Sequence, residues 1–287
     1  PYVVSAALLV SKQLGIVQLS TEESFYREHP TEMKKLFMVG RAVSIVFGIL
    51  EIFLVYLIGK RFFSSRVGLL AAAILAVLPI EVVQSTYFRS YTLANSLLLG
   101  VLYAALSIAK GETRSLWAGR VGALLAGFAF STRVSMAPVL LLLPAANMLY
   151  ALYNGKALLL AIRYTARVFF TSTIWWFIFG IIFTNPTLIT DPAAVWHGMT
   201  AQLGYGGSFF DIASRIKNTL PMLRSLALGS TLPIMILAGT GIVFAIRSHK
   251  MRHDFIWLTA VFILPYGYAI FGSVYAAIPR FSMPFTP

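Results

Sequence analysis

The chain has 287 residues, 58% of them hydrophobic and only 11% charged. A water-soluble domain carries about a quarter of its residues charged, so that class is excluded; at roughly 20 residues per crossing, the length allows about eight helical spans and no large soluble domain. The net charge of +13 does not imply nucleic acid, because in a membrane protein the distribution of basic residues says more than their sum.

Cysteine is absent, which rules out disulfides and thiolate metal sites. The chain opens on Pro1 and Tyr2 and stops at Pro287 directly after a polar turn; it is expected to be a fragment, truncated at both ends. Residues 2–10 are apolar but too short to span, which predicts a helix lying in the outer interface. Residues 1–36 are expected to form an outer-face juxtamembrane segment of the first external loop. Residues 37–287 are expected to form a transmembrane bundle with a longer outer loop at 185–225.

Apolar stretches at 37–59, 67–86, 91–109, 168–184, 226–246 and 255–273 predict spans, and a longer one covers 121–152. Four connecting segments carry three basic residues each: Lys60, Arg61 and Arg66; Lys110, Arg114 and Arg120; Lys156, Arg163 and Arg167; Arg247, Lys250 and Arg252. The positive-inside rule puts all four on the cytoplasmic side, so 121–152 must leave and return as two helices with a bend near Thr132 and Arg133. A single helix would place Arg133 at the bilayer centre. The first arm, about a dozen residues, rises only about 18 Å against a hydrocarbon core of about 30 Å, so the bend sits at depth, facing protein or a water-filled cavity.

Of the acidic residues, only Glu112 and Asp254 fall in cytoplasmic loops, whereas Glu22, Glu23, Glu28, Glu32, Asp191 and Asp211 fall on the other side. That side also holds the longest non-spanning segments, where a substrate site has material to be built from. The fold class is therefore all-α, a polytopic transmembrane helical bundle with about eight spans and outer-face interfacial helices. No repeat of fixed period stands out.

An ionisable residue inside or at the edge of a span is a functional candidate, because its burial is costly. Arg133, in Ser131-Thr132-Arg133-Val134, reads as an anion-binding cation lining a cavity or as a snorkelling anchor. Arg89 and Tyr91, in a very short outer loop, offer a planar fork of donors and a hydroxyl suited to phosphate oxygens, or serve as interfacial belt residues. Glu81, two residues after Pro79, is a general base, a partner to an arginine, or a helix-end cap. Glu51 falls near mid-membrane with no other carboxylate expected at similar depth, as a proton-coupling or a bundle-facing structural residue. Arg280 is a phosphate contact or a surface anchor. His249 and His253 have the spacing of helical metal ligands but sit in a cationic loop, which favours a solvated face. Asp191 has the look of a helix cap.

The run Arg41-Ala42-Val43-Ser44 through Phe47-Gly48 to Gly59-Lys60-Arg61-Phe62 resembles the second span of the C-type-fold membrane glycosyltransferases, in the branch similar to dolichyl-phosphate-mannose protein mannosyltransferases. Val67-Gly68-Leu69-Leu70-Ala71-Ala72 leading to Leu78-Pro79, Arg89 to Leu93, Gly127 to Arg133, Asn185-Pro186 with Asp191, and Arg280-Phe281 with Pro284 continue the resemblance in order. It implies sugar transfer from a polyprenyl-phosphate donor to a lipid, glycan or protein acceptor on the outer face of a membrane, here a prokaryotic plasma membrane. It also implies an inverting reaction, in which an acidic residue of the first outer loop activates the acceptor and cations hold the phosphate leaving group.

By position Arg89, Arg133 and Arg280 form that clamp, with Tyr91 as hydroxyl donor and Asp191 as a further substrate-binding residue. The family's main acidic residue would fall just before Pro1. In the second outer loop Tyr87 stands where relatives often carry a carboxylate, which leaves Glu81 as the catalytic candidate within the chain. No cofactor is certain, and a divalent metal is compatible with the sequence but not indicated by it. A transporter or flippase of a lipid-linked anion would also want cations in a membrane cavity, but many transporters show an internal repeat that is not seen here. In a purely structural subunit, Arg89 and Arg133 would merely satisfy partner helices.

Overall fold

A computed structural model of the chain describes residues 2–86, 91–111 and 115–204, together with Ile236, Thr240, Val243 and Arg247. The described residues form helices joined by short connections, with no strand among them: an all-α polytopic membrane protein. Four helical stretches are long and apolar enough to cross a bilayer: Pro30–Arg61, Tyr91–Ala109, Met136–Tyr153 and Leu158–Thr184. The expected spans at 226–246 and 255–273 lie outside the described residues, so the count of eight is not reached here. The chain divides into two compact units, Pro1–Leu99 and Gly100–Pro287.

In the first unit, α1 (Tyr2–Gln13) and the short α2 (Glu23–Glu28) precede α3 (Pro30–Phe62), and α1 packs on α3. The helix expected at residues 2–10 is thus present and slightly longer. Glu32, in the first turn of α3, accepts from the Gln18 backbone N–H at 2.9 Å and from Lys35 Nζ at 2.6 Å, fastening the incoming loop. Pro30 opens α3, a position where its missing N–H costs nothing. The helix therefore starts seven residues ahead of the apolar run at 37–59, and its 33 residues span about 50 Å at 1.5 Å per residue.

Gly40, Ser44, Glu51 and Gly59 are buried along one face of α3. At Gly59 a Cβ would come within 2.6 Å of Gly68 Cα, so two glycines let the backbones of α3 and α4 (Ser65–Val77) meet. The stretch 67–86 was expected to run as one span; it breaks instead at Leu78, whose ψ of 118° is extended, and resumes as α5 (Pro79–Thr86). The cause is Pro79, which disfavours the helical region for the residue before it and is preorganised to start a helix. With 13 residues, α4 is too short to cross alone.

α6 (Tyr91–Ala109) coincides with the expected span 91–109. Its first half belongs to the first unit, where Ser96 Oγ donates to the Phe47 carbonyl of α3 at 2.9 Å. Its second half meets α7 (Ser115–Thr132) in the second unit: Ala104 Cβ lies 3.0 Å from where a Cβ on Gly122 would stand. α7 ends at Thr132, and the chain continues as a 3₁₀ helix (Val134–Leu141) and then α8 (Leu142–Tyr153). Leu143 lies against Gly122, positions nearly equidistant in sequence from Arg133, so the chain doubles back as the hairpin reading requires.

After α8 the chain forms α9 (Leu158–Val168), a π-helical turn (Phe169–Thr173) and α10 (Ile174–Thr184) without interruption. The span expected at 168–184 thus starts ten residues earlier, and Arg163 and Arg167 lie on a helix rather than in a loop. α10 packs on α7 where Gly127 and Gly180 face each other; a Cβ on Gly127 would run into the Phe177 carbonyl oxygen. The core of this unit is rich in alanine: Ala105, Ala123, Ala129 and Ala151 are fully buried, which permits close helix approach. Two short helices follow, α11 (Thr187–Thr190) and α12 (Pro192–Gly204), in the first part of the expected outer loop at 185–225.

Candidate functional site

The break at Leu78 and Pro79 determines what α5 touches. The Glu81 and Val82 N–H groups both donate to the Leu78 carbonyl at 3.0 Å, setting the first turn of α5. Ser85 then lies against Gly48 of α3, 3.0 Å from where a Cβ there would stand. This packing turns Glu81 toward Glu51, so that the two carboxyl groups lie side by side. The side chain of Asn95 on α6 reaches toward the same Glu51 carboxyl. The expectation that no second carboxylate shares the depth of Glu51 is therefore corrected. Only the kink, invisible as a continuous apolar run, brings Glu81 beside it.

Glu51 is 3% exposed, and its Oε1 and Glu81 Oε2 have no hydrogen-bond partner among the described residues. Both line a cleft of about 90 Å³ whose other walls include Ile45, Gly48, Ile49 and Ile52. Glu51 stands nine residues from Lys60, about 13 Å along the helix, and so close to the middle of a hydrocarbon core of about 30 Å. The cluster ties α3, α5 and α6 together at depth through polar contacts.

Arg133 occupies the break between α7 and the 3₁₀ helix. Its φ of −152° and ψ of 122° are extended; its N–H donates to Ala129 O and its carbonyl accepts from Met136 N, both at 2.9 Å. The backbone is thus satisfied across the turn even though the helix is not continuous. Pro138 within the following segment and the fully buried Val139 and Leu142 hold the return arm in place. The bend expected near Thr132 and Arg133 is present at that position.

Tyr91 is half-buried at the first residue of α6. Asp191 caps α12: its Oδ1 accepts from Ala194 N at 3.0 Å, and its side chain is otherwise exposed, in keeping with the capping reading. Arg89, Arg280, His249 and His253 lie outside the described residues. Among the predicted residues, the contact observed is that of Glu81 with Glu51. Asn95 was missed, although a lone amide four residues after Tyr91 in an apolar run was visible. No group of three His, Asp or Glu residues able to hold a metal occurs among the described residues.

A helical polytopic bundle with a cation at a helix break and a carboxyl pair at mid-depth defines a membrane protein with polar groups held within its spans. The family model described as dolichyl-phosphate-mannose-protein mannosyltransferase matches residues 33–179, just over half of the chain. The chain belongs to this family, and so to the membrane glycosyltransferases. No curated protein and no solved structure gives a significant match.

Proposed function

We propose that the chain takes part in transferring a sugar from a polyprenyl-phosphate donor to a lipid, glycan or protein acceptor at the outer face of a membrane. Family membership over residues 33–179 carries this reading. In it, the isoprenoid lies in the bilayer, and the phosphate meets cations where the backbone leaves the helical path. Arg133 is the cation assigned to the phosphate, because irregular backbone at membrane depth is tolerated only where protein or a cavity surrounds it. Arg89 and Arg280 complete the clamp and Tyr91 supplies a hydroxyl donor.

As the glycosidic bond breaks, negative charge grows on the leaving phosphate, and a fixed guanidinium in a water-poor site stabilises that charge without reorganising. Glu81 is not assigned to acceptor activation, since its carboxyl is engaged by Glu51 among apolar side chains. The test is Arg133→Ala in the intact protein, assayed with a polyprenyl-phosphate sugar. Transfer should fall by about 10²- to 10³-fold, the usual cost of removing one preorganised donor, with membrane insertion unchanged. Near-normal turnover would remove Arg133 from the clamp.

A further inference from the structure

α9 and α10 with the π-helical turn between them form a 27-residue helical stretch, Leu158–Thr184, about 40 Å long at 1.5 Å per residue. A hydrocarbon core of about 30 Å is spanned by about 20 of those residues. Counted back from Thr184, the edge of the core falls close to Thr165, between Arg163 and Arg167. Both arginines are exposed, while Ala161 on the opposite face is fully buried where α9 packs on α8. Lys156 joins them, its Nζ lying 4.0 Å from the centroid of the Tyr164 ring.

Among the described residues these three cations have no acidic counterpart, since the ion pairs there are Arg27 with Glu23 and Lys35 with Glu32. Arg163 and Arg167, at i and i+4, are neighbours on the helix surface and repel each other unless an anion lies between them. Tyr150 on α8 and Tyr164 on α9 lie against each other, their ring centroids 6.4 Å apart, as aromatic side chains gather at a membrane interface. Leu158, Leu159 and Leu160, between Lys156 and Arg163, are also exposed, so the helix surface around the cations is apolar, suited to lipid rather than to bulk water.

We propose that Lys156, Arg163 and Arg167 form a binding site for the phosphate of an anionic phospholipid headgroup at the edge of the hydrocarbon core. Arginine forks bind phosphate oxygens bidentately, and three unbalanced positive charges favour a lipid of net negative charge over a zwitterionic one, whose own cation offsets its phosphate. The site is independent of the sugar-transfer reading, since it uses none of the residues assigned to the clamp.

The test extracts the protein in detergent containing equal phosphatidylcholine and phosphatidylglycerol, then measures the lipids that remain bound. The wild type should retain phosphatidylglycerol in excess, and the preference should fall about fivefold for each cation removed by Lys156→Gln, Arg163→Gln or Arg167→Gln. The charge-keeping Arg163→Lys and Arg167→Lys variant should stay within severalfold of wild type, which guards against loss through misfolding. Absence of a phosphatidylglycerol excess in the wild type, or an equal excess in the glutamine variants, would overturn the proposal. Displacement of the lipid by millimolar inorganic phosphate would do so too, by marking a site for the free anion.

Discussion

Glu51 and Glu81 illustrate how a buried polar pair becomes part of a fold's cohesion. Each is tolerable at depth because the other lies beside it; removing one takes away a polar neighbour, which typically costs about 1–3 kcal/mol. Glu81→Leu should therefore lower the thermal unfolding midpoint in detergent, whereas Glu51→Gln, which keeps both a donor and an acceptor, should lower it less. Equal midpoints for wild type and Glu81→Leu would show that the pair does not hold α5 against α3. The sequence marked both residues as ionisable groups within apolar runs. It did not reveal their contact, because twenty-nine intervening residues and a proline break separate them.

At the scale of the helices, close crossings are set by glycine. Gly127 and Gly180 bring α7 and α10 together so tightly that a methyl group on Gly127 would meet the backbone, which cannot yield as a flexible side chain would. Gly127→Ala should destabilise the protein by about 1–3 kcal/mol through overpacking. Gly198→Ala in α12 meets nothing within 4 Å and should be neutral or stabilising by up to about 1 kcal/mol. Unfolding midpoints compared in the same detergent check both, and the idea fails if the two changes have the same effect. The helix interruptions divide into those legible in advance and those not. The stop at Arg133 followed from charge placement and span length, and that at Leu78 was available from Pro79 but was overridden by the continuous apolarity of residues 67–86. The early start of α9 at Leu158 was hidden because three basic residues made 156–167 read as a loop.

For the whole molecule, the distribution of basic residues makes a definite claim about sidedness. With no cysteine to remove, single cysteines introduced at Thr21, Ser64 and Asn154, all exposed, are clean reporters. An impermeant maleimide applied to intact cells should label Thr21→Cys but neither Ser64→Cys nor Asn154→Cys, and all three should react after the membrane is opened. Labelling of Ser64 and Asn154 from opposite sides would contradict the return of the chain at Arg133 to the face it left. The same experiment bears on the lipid site, since Asn154 adjoins Lys156 and reports which leaflet faces that cluster.

The sequence by itself determined the membrane setting, the helical class, the family and the position of the reversal at Arg133. These follow from composition, run length and charge asymmetry, all of which are local or additive properties of the chain. Tertiary structure alone decided that Glu51 meets Glu81 and Asn95, that α7 and α10 cross on two glycines, and that Arg163 and Arg167 share a single exposed helix face. The physical reason is common to all three. A contact between elements depends on where each helix bends and which face it turns to its neighbour, and those are settled by packing at distance in the chain, not by the character of any one segment.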